Sequence, residues 1–413
     1  MRSIEELAKA AKRSSEVLRS VGTDQKNQAL AAIASQLKEE EEDILKANSE
    51  DCEKAQKEGM RPILLDRLKL TPKRIDEMIE GVDRLIELDD PIGEVLEGST
   101  RPNGLEIRKI RVPFGVVGMI FEARPNVAVD AACLCLKASD ACLLRGGKEA
   151  ILSTTALTEC MRRALVKSGL PEDTICLTQD TSHESADQMM QAKGLIDVLI
   201  PRGSARLIQT VVENSKVPFI ETGVGNCHIY VDEWADLDKA IAITVNAKTS
   251  RPSVCNAAES LVVHSRVAGE FLPRLVKAMP QVTLYGDGRA KALVPTMETA
   301  SEEDFGREYL DLKMSVRIVD TLQQAIDHIA KYSTGHSETI VTENLKNARI
   351  FTSQVDSAAV YVNASTRFTD GGQFGEGAEI GISTQKLHAR GPMGIKALTT
   401  TKFVVWGDGQ IRL

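Results

Sequence analysis

This chain of 413 residues is poor in aromatic residues, in long apolar runs and in clusters of positive charge. Aromatic side chains make up 4% of it, and its formal net charge is −8. No apolar stretch approaches 18 residues, so we expect no membrane-spanning helix. No block of lysine and arginine offers a surface for nucleic acid or for anionic lipid. These absences argue against nucleic acid and membranes as partners.

The eight cysteines lack the spacing of a metal site. No pair has C-x-x-C spacing, and Cys133-x-Cys135 has no matching partner pair, which argues against zinc. Eight unpatterned cysteines in a long chain without a signal-peptide pattern indicate a reducing compartment, so we expect a cytoplasmic protein. For most of them, burial as a small apolar side chain is the expected state.

Cys255 is the exception among these cysteines. It lies in the polar segment N-A-K-T-S-R-P-S-V-C-N, between a helical run and an apolar strand at 261–263. Lys248 and Arg251 precede it, and nearby positive charge lowers the pKa of a thiol and favours the nucleophilic thiolate. The sequence therefore predicts a reactive thiol at Cys255.

The standard nucleotide-binding motifs are absent as well. Gly223-x-Gly225 has His228 where a dinucleotide fingerprint requires its third glycine, and Gly147-Lys148 lacks the earlier glycine of a P-loop. A dinucleotide could still bind, but through a different turn.

What the sequence does contain is a regular alternation of strands and helices. The first ninety residues predict helices only, residues 114–221 alternate strand with helix, and a second alternating series begins near Leu237. Continuous apolar strands separated by helices are typical of parallel sheets covered on both faces. The sequence therefore predicts an α/β protein with two domains.

A charged hairpin is predicted between the helical region and the first alternating series. Asn103-Gly104 separates two strand-like runs at 94–97 and 105–112, and Asn-Gly is the strongest short-range hairpin signal. The hairpin is either a solvated excursion or an arm that reaches another subunit.

Three glycine-bearing loops follow predicted strands of the first series, where open parallel sheets bind ligands. Residues 145–149 (R-G-G-K-E) and 201–206 (P-R-G-S-A-R) carry basic side chains, and the second loop opens a helix whose N-terminus suits a phosphate. The third, 221–226 (E-T-G-V-G-N), comes at the end of a strand predicted at 218–221. Each loop alone is more often an ordinary turn. Two basic loops in one sheet favour an anion site.

A fourth segment, 121–126, follows the predicted strand 116–120 and carries Arg124 and Asn126. An asparagine amide can donate to an oxyanion, and an arginine can hold a carboxylate or a phosphate. The alternative is a surface loop interrupted by Pro125.

Together these segments resemble the aldehyde dehydrogenase superfamily and, more closely, its γ-glutamyl phosphate reductase family. The resemblance covers essentially the whole chain and is carried by residues 121–126, 221–228, 250–256, 325–329, 332–340 and 385–394. It implies an aldehyde dehydrogenase-like fold of two parallel α/β domains with a β-hairpin oligomerisation arm. Residues 1–93 and 113–235 would form the cofactor-binding domain and 236–395 the catalytic domain with Cys255. Residues 94–112 and 396–413 would form the arm, with the last strand at 403–406.

The resemblance also implies an activity. It is the NADPH-dependent reduction of L-glutamyl 5-phosphate to L-glutamate 5-semialdehyde and phosphate through a cysteine thioester, the second step of proline biosynthesis from glutamate. Glutamate 5-kinase would hand over the substrate, and the arm would build a homo-oligomer. Three alternatives stay open: an NAD-dependent aldehyde oxidiser, a thiol hydrolase without cofactor, and a binding or regulatory protein on the same scaffold.

The expected catalytic residues are Cys255 as nucleophile and Asn126 as oxyanion donor. Glu221 matches the position of the general base in aldehyde dehydrogenases, but a reductase has no deacylating water to activate. We therefore expect Glu221 to orient cofactor or substrate.

The expected binding residues fall into two groups. Those for the cofactor are Arg145, Gly146, Lys148, Gly203, Ser204, Gly223 and Glu308. In this group Arg145 or Lys148 would bind the 2′-phosphate of NADPH, Gly203-Ser204 its pyrophosphate and Glu308 a ribose. Those for the substrate are Arg124, Lys248, Arg251, His388 and Arg390. No metal is expected.

Overall fold

The computed structural model describes residues 2–412, which contain the following helices and strands. The helices are α1 (Ile4–Leu18), α2 (Thr23–Glu39), α3 (Glu41–Lys57), α4 (Pro62–Leu68), α5 (Pro72–Glu87), α6 (Asn126–Lys137), α7 (Ile151–Lys167), α8 (His183–Gln191), α9 (Ala205–Asn214), α10 (Leu237–Thr249), α11 (Ser265–Ala278), α12 (Gly288–Leu293), α13 (Leu322–Tyr332) and α14 (Leu345–Gln354). The strands are β1 (Val95–Thr100), β2 (Glu106–Pro113), β3 (Val116–Phe121), β4 (Ala141–Arg145), β5 (Ile175–Leu177), β6 (Val198–Arg202), β7 (Cys227–Val231), β8 (Ala258–His264), β9 (Thr283–Gly286), β10 (Glu298–Thr299), β11 (Lys313–Val319), β12 (Ser337–Val341), β13 (Ala359–Val362), β14 (Ile382–Ser383), β15 (Gly391–Pro392) and β16 (Thr399–Trp406).

The chain begins with helices α1 to α5, as the apolar periodicity predicts. Helix α1 starts with a reciprocal cap: the Ser3 hydroxyl accepts from the Glu6 N–H, and the Glu6 carboxylate accepts from the Ser3 N–H at 2.8 Å. Leu30, Ile33 and Leu37 recur at helical spacing on α2 and are fully buried. Amphipathic periodicity therefore suffices to predict this part of the chain.

The first sheet is parallel and has the order β5-β4-β3-β6 within the described residues. Strand β3 is buried along its whole length, as a strand covered on both faces should be. The sequence also predicts a strand at 218–221, and this prediction is wrong. Phe219 makes one bridge to Leu199 of β6, and Pro218 has no N–H to extend the ladder.

The second sheet is also parallel and, in the part of the chain that the structure describes, has the order β10-β9-β11-β8-β7-β12-β13. Neighbouring residues of β7 point to opposite faces and enter two different cores. Ile229 packs with Phe271 of α11, whereas Tyr230 packs with Phe351 of α14. The predicted covering of a parallel sheet by helices on both faces is confirmed.

Tertiary contacts divide the chain into two compact units. The first comprises the residues through Glu221, Gly375–Gly381 and the residues from Met393 onward. The second comprises Thr222–Phe374 and Ile382–Pro392. The sequence predicts the boundary later, between residues 235 and 236. The difference arises because β7 pairs with β8 and β12 of the second sheet.

The hairpin belongs to the first unit and has a third strand. Strand β1 pairs with β2, and β16 pairs with β2 over its full length, from Thr399 opposite Pro113 to Trp406 opposite Glu106. The prediction that the segment ending at Trp406 joins the hairpin is confirmed. No helix within residues 2–412 combines the length and the apolar character that crossing a membrane requires.

Candidate active site

Cys255 lies in the turn between α10 and β8, at the amino-terminal edge of the second sheet. It is half-buried, whereas six of the other cysteines are fully buried: Cys133, Cys135, Cys142, Cys160, Cys176 and Cys227. Burial raises the pKa of Cys160 and of Cys176 to about 12, so these thiols stay protonated near neutral pH. Exposure thus separates Cys255 from these six cysteines, although Cys52 is also half-buried.

The glycine loop 222–226 packs directly against the Cys255 backbone. A Cβ atom on Gly225 would overlap the carbonyl oxygen of Cys255, so only glycine permits this approach. The same carbonyl accepts a contact of 3.1 Å from the Cys227 thiol. The loop therefore fixes the Cys255 backbone from one side.

Glu308 holds this glycine loop. Its carboxylate accepts the Gly225 N–H at 2.8 Å. The sequence predicts a ribose contact for Glu308, and the structure gives it this position beside the Cys255 turn. Gly223 of the same loop donates its N–H to the Ile382 carbonyl at 2.9 Å.

Asn256 fixes the turn from the other side. Its amide donates to the Thr369 carbonyl at 2.8 Å, and its own carbonyl accepts the Thr366 hydroxyl at 2.7 Å. Cys255 itself and the residue after it are therefore held against two different segments, 222–226 and 365–370. This anchoring restricts where the thiol can point.

Arg367 is the residue of this site that the sequence analysis misses. Its Nε donates to the Ser250 hydroxyl at 3.1 Å, and its Nη1 donates to the Asn256 side-chain oxygen. Burial and the charge of Arg251 lower the pKa of Arg367, while Asp370 and Cys255 act in the opposite direction. A half-buried guanidinium thus lies within electrostatic range of both Arg251 and the Cys255 thiol.

Lys248 and Arg251 differ sharply, although the sequence gives them the same role. Arg251 is exposed. Lys248 has no solvent exposure, and its ammonium lies 2.6 Å from the equally buried Glu259 carboxylate. Burial lowers the pKa of Lys248 and raises that of Glu259 to about 8. Lys248 therefore has a structural partner where the sequence predicts a substrate phosphate.

In the first unit, the loops after β3, β4 and β6 meet at the carboxyl edge of the first sheet, as the sequence predicts. Ser204 caps α9, and the carboxylate of Glu122 occupies that helix N-terminus. Glu122 accepts the Ser204 N–H and the Ser204 hydroxyl, both at 2.8 Å. A Cβ atom on Gly203 would come within 2.7 Å of this carboxylate. The cradle predicted for a pyrophosphate thus holds an anionic group of the protein itself.

The basic residues of the β4 loop have different roles from each other. Arg145 is buried and donates through Nη2 to the carbonyls of Thr181 and Ser182 at 2.6 and 2.9 Å. Lys148 is 67% exposed, and its ammonium lies 3.8 Å from Glu58. Of the two candidates for a 2′-phosphate, Lys148 is the more available.

Asn126 and Glu221 belong to the first unit, whereas Cys255 belongs to the second. The Asn126 amide donates to Asp130 one turn along α6, at 3.1 Å. Desolvation raises the pKa of Asp130 to about 6 despite this hydrogen bond. Arg124 lies in the loop just before α6, where its N–H donates to the Glu122 carbonyl at 2.6 Å.

His388 and Arg390 lie in the β14–β15 excursion of the second unit. His388 is exposed and has a positive φ of 60°. Arg390 donates to both the carbonyl and the carboxylate of Asp356, each at 2.8 Å. Among the expected substrate residues, Arg390 therefore already has a carboxylate partner.

The fold and the cysteine turn define a class of protein. Residues 2–313 match the model of the aldehyde dehydrogenase family, which is a class of oxidoreductases acting on aldehydes and their acyl counterparts. Two parallel sheets with a partly accessible cysteine at the edge of one of them agree with that match.

Comparison with individual proteins narrows the class. The chain is 57% identical to γ-glutamyl phosphate reductase of Heliobacterium modesticaldum, over 98% of this chain and 97% of the relative. It is 52% identical to that of Thermobifida fusca, over 100% and 99%. The crystal structure of γ-glutamyl phosphate reductase from Thermotoga maritima superimposes with a TM-score of 0.95 at 48% identity, covering 99% of each chain. The chain belongs to the aldehyde dehydrogenase family and, within it, to the γ-glutamyl phosphate reductases.

Proposed function

We propose that this protein reduces L-glutamyl 5-phosphate to L-glutamate 5-semialdehyde and phosphate, with NADPH as hydride donor. The observation that carries the proposal is the Cys255 turn: a partly accessible thiol beside two arginines, Arg251 and Arg367. A thiolate suits attack on an activated acyl group, and guanidinium groups suit a phosphate that departs from it. The names of the closely related proteins support this substrate.

The proposed reaction begins on Cys255. Its thiolate attacks the acyl carbon of the acyl phosphate, the C–O bond to phosphate breaks, and a thioester and free phosphate result. The Cys255 N–H and the Asn126 amide are the proposed oxyanion donors, and losing one such donor typically costs about 10²–10³ in rate. The thioester then takes up a hydride and a proton, and the resulting hemithioacetal releases the aldehyde and regenerates the thiolate.

The residues at the carboxyl edge of the first sheet fit a phosphate-bearing cofactor. Bound there, NADPH would supply the hydride. The Glu122 carboxylate on the α9 N-terminus supports this fit, because a cradle that satisfies one oxyanion can satisfy another. Ser204 and Gly203 are the proposed pyrophosphate contacts, and Lys148 is the proposed contact of the 2′-phosphate. Glu221 is proposed to orient cofactor or substrate.

We also propose that the protein is a homo-oligomer built through its arm. Val95, Phe403 and Trp406 are 55%, 66% and 64% exposed on the three-stranded sheet. Apolar side chains on strands with an open edge are a typical interface with another copy. Proline biosynthesis, supply of substrate by glutamate 5-kinase and a cytoplasmic location complete the proposal. Eight free cysteines support such a reducing compartment.

The reverse direction gives the simplest test. NADP⁺ reduction with glutamate 5-semialdehyde should require phosphate or arsenate, because the thioester needs an anion to accept the acyl group. NAD⁺ should be a poorer substrate than NADP⁺. Steady formation of NADPH without either anion would instead identify an enzyme that hydrolyses its thioester to a carboxylate.

A further inference from the structure

We propose that Arg367, together with Arg251, binds the phosphoryl group of the substrate beside Cys255 and that Ser250 and Asn256 position Arg367 for this role. The inference rests on the proposed function and assigns a binding residue that neither the sequence motifs nor the relatives' names identify. The chemical class of the ligand is a phosphate dianion, either as part of the acyl phosphate or as inorganic phosphate in the reverse direction.

The first observation is that Arg367 spans the nucleophile's turn. It contacts Ser250, five residues before Cys255, and Asn256, immediately after it. These two contacts use Nε and Nη1. The Nη2 group donates to no acceptor in the described part of the chain. The guanidinium is therefore held in place while its Nη2 group is still available to a ligand.

The second observation concerns the positive charge of these two arginines. Neither Arg367 nor Arg251 makes an ion pair with any residue that the structure describes. Asp370, the acidic group that acts on Arg367, instead accepts the Gly372 and Gln373 N–H groups at 3.0 and 3.2 Å. Two neighbouring guanidinium groups repel each other, and a doubly charged anion bound by both would offset this repulsion.

The third observation is the contrast with Lys248, which also lies close to the turn in sequence. Its charge is matched by Glu259 inside the unit. Lys248 thus has a buried carboxylate partner, whereas Arg251 and Arg367 have none within residues 2–412. The difference indicates that the two arginines serve a ligand.

The test compares Arg367→Gln and Arg367→Lys with wild type in the phosphate-dependent reverse reaction. We expect Arg367→Gln to raise the KM for phosphate roughly 10- to 100-fold, which is the loss of a charge-assisted contact. The KM for the semialdehyde and for NADP⁺ should change less than about threefold, because the proposal assigns Arg367 to the phosphate alone. Arg367→Lys keeps the positive charge but loses the planar guanidinium, so its KM for phosphate should lie between those of wild type and Arg367→Gln. Arg349→Gln, an exposed arginine on α14, is the matched control.

A second readout needs no turnover. Inorganic phosphate should slow the alkylation of Cys255 by iodoacetamide in wild type and in Arg349→Gln, and this protection should disappear in Arg367→Gln. Equal phosphate KM and equal protection in Arg367→Gln and wild type would overturn the inference. Arg367→Lys decides the question if the glutamine variant does not fold. If wild type needs no phosphate for turnover, the proposed function fails, while the protection experiment still judges the anion site.

Discussion

The carboxyl edge of the first sheet and the Cys255 turn both carry groups suited to binding an oxyanion, but they differ in whether those groups already have partners in the protein. At the carboxyl edge of the first sheet, Arg145 is hydrogen-bonded to carbonyls of its own unit, and Glu122 occupies the N-terminus of α9. At the Cys255 turn, neither Arg251 nor Arg367 makes an ion pair with a carboxylate within residues 2–412. Arg145 and the N-terminus of α9 therefore have partners within the first unit, whereas the two arginines at the Cys255 turn have charge left for a ligand.

This difference teaches that a basic residue in a promising loop is not by itself evidence of a ligand contact. Arg145 and Lys248 satisfy the same sequence criteria as Lys148 and Arg251. Only the second pair remains exposed. What decides is whether the fold buries the charge against a partner. The predictions below test whether the unmatched charges serve Cys255 and whether the matched ones serve the fold.

The largest effect should come from Cys255→Ser. An alcohol is a far weaker nucleophile than a thiolate near neutral pH, so we expect NADPH-dependent turnover to fall by at least about 10³-fold. Cys52→Ser, at the other half-buried cysteine, is the control and should retain wild-type rates. Full activity of Cys255→Ser would show that Cys255 is not the nucleophile, and the two arginines would then have no role beside it.

Lys248→Met tests the matched charge. It leaves the Glu259 carboxylate buried without its partner, which should lower the free energy of unfolding by about 3–5 kcal/mol. Arg251→Met, at an exposed position, should change that free energy by less than about 0.5 kcal/mol. Urea denaturation measures both, and adding Glu259→Leu to Lys248→Met should recover much of the loss. If Lys248→Met were as stable as wild type, Lys248 would be available for a ligand after all.

Gly225→Ala tests the packing that fixes the nucleophile. The added methyl group would overlap the Cys255 carbonyl, so we expect a loss of about 1–3 kcal/mol in stability together with a lower kcat. Gly269→Ala on α11 has open space around the new methyl group and should be neutral or stabilising by up to about 1 kcal/mol. Thermal denaturation and steady-state rates check both variants. Wild-type behaviour of Gly225→Ala would show that the turn is not held by this contact.

Glu122→Gln should have the smallest effect and should sharpen the contrast between the regions. Removing the negative charge at the α9 N-terminus should tighten NADPH binding, about three- to tenfold, because a phosphate would no longer compete with a carboxylate. Fluorescence titration of NADPH measures the dissociation constant, and Glu184→Gln on α8 is the control. Weaker binding by Glu122→Gln would mean that Glu122 supports the cofactor site.

Sequence patterns predict much of this fold because they are local. The sequence predicts helices at 151–167 and 205–214, and α7 and α9 have these bounds. Such agreement is possible because apolar periodicity and caps act within one element. The placement of β7 in the second sheet depends on pairing with β8 and β12, which no local pattern contains. The segment around Phe219 is extended but makes only one bridge, to Leu199 of β6. Whether an extended segment becomes a strand thus depends on the neighbouring strand, which the local sequence does not contain.

The residues of the candidate site also divide into those that local sequence identifies and those that only the fold brings together. Cys255 stands out by its own polar and basic surroundings, so sequence alone identifies it. Arg367 follows it by more than a hundred residues and reaches the turn only through the folding of the second unit. Its one local signal is an arginine in the polar segment after β13. Lys248 and Glu259 meet because α10 packs beside β8, and Glu122 reaches Ser204 because β3 and β6 are neighbours in the sheet.

The most direct test of the central claim is a single-turnover measurement on wild type. Enzyme mixed with NADP⁺ and glutamate 5-semialdehyde, without phosphate, should form one equivalent of NADPH per active site and then stop. Mass spectrometry should find one glutamyl group on Cys255, and added phosphate should restore turnover. Continuous NADPH formation without phosphate, or a burst with no modified Cys255, would contradict the account.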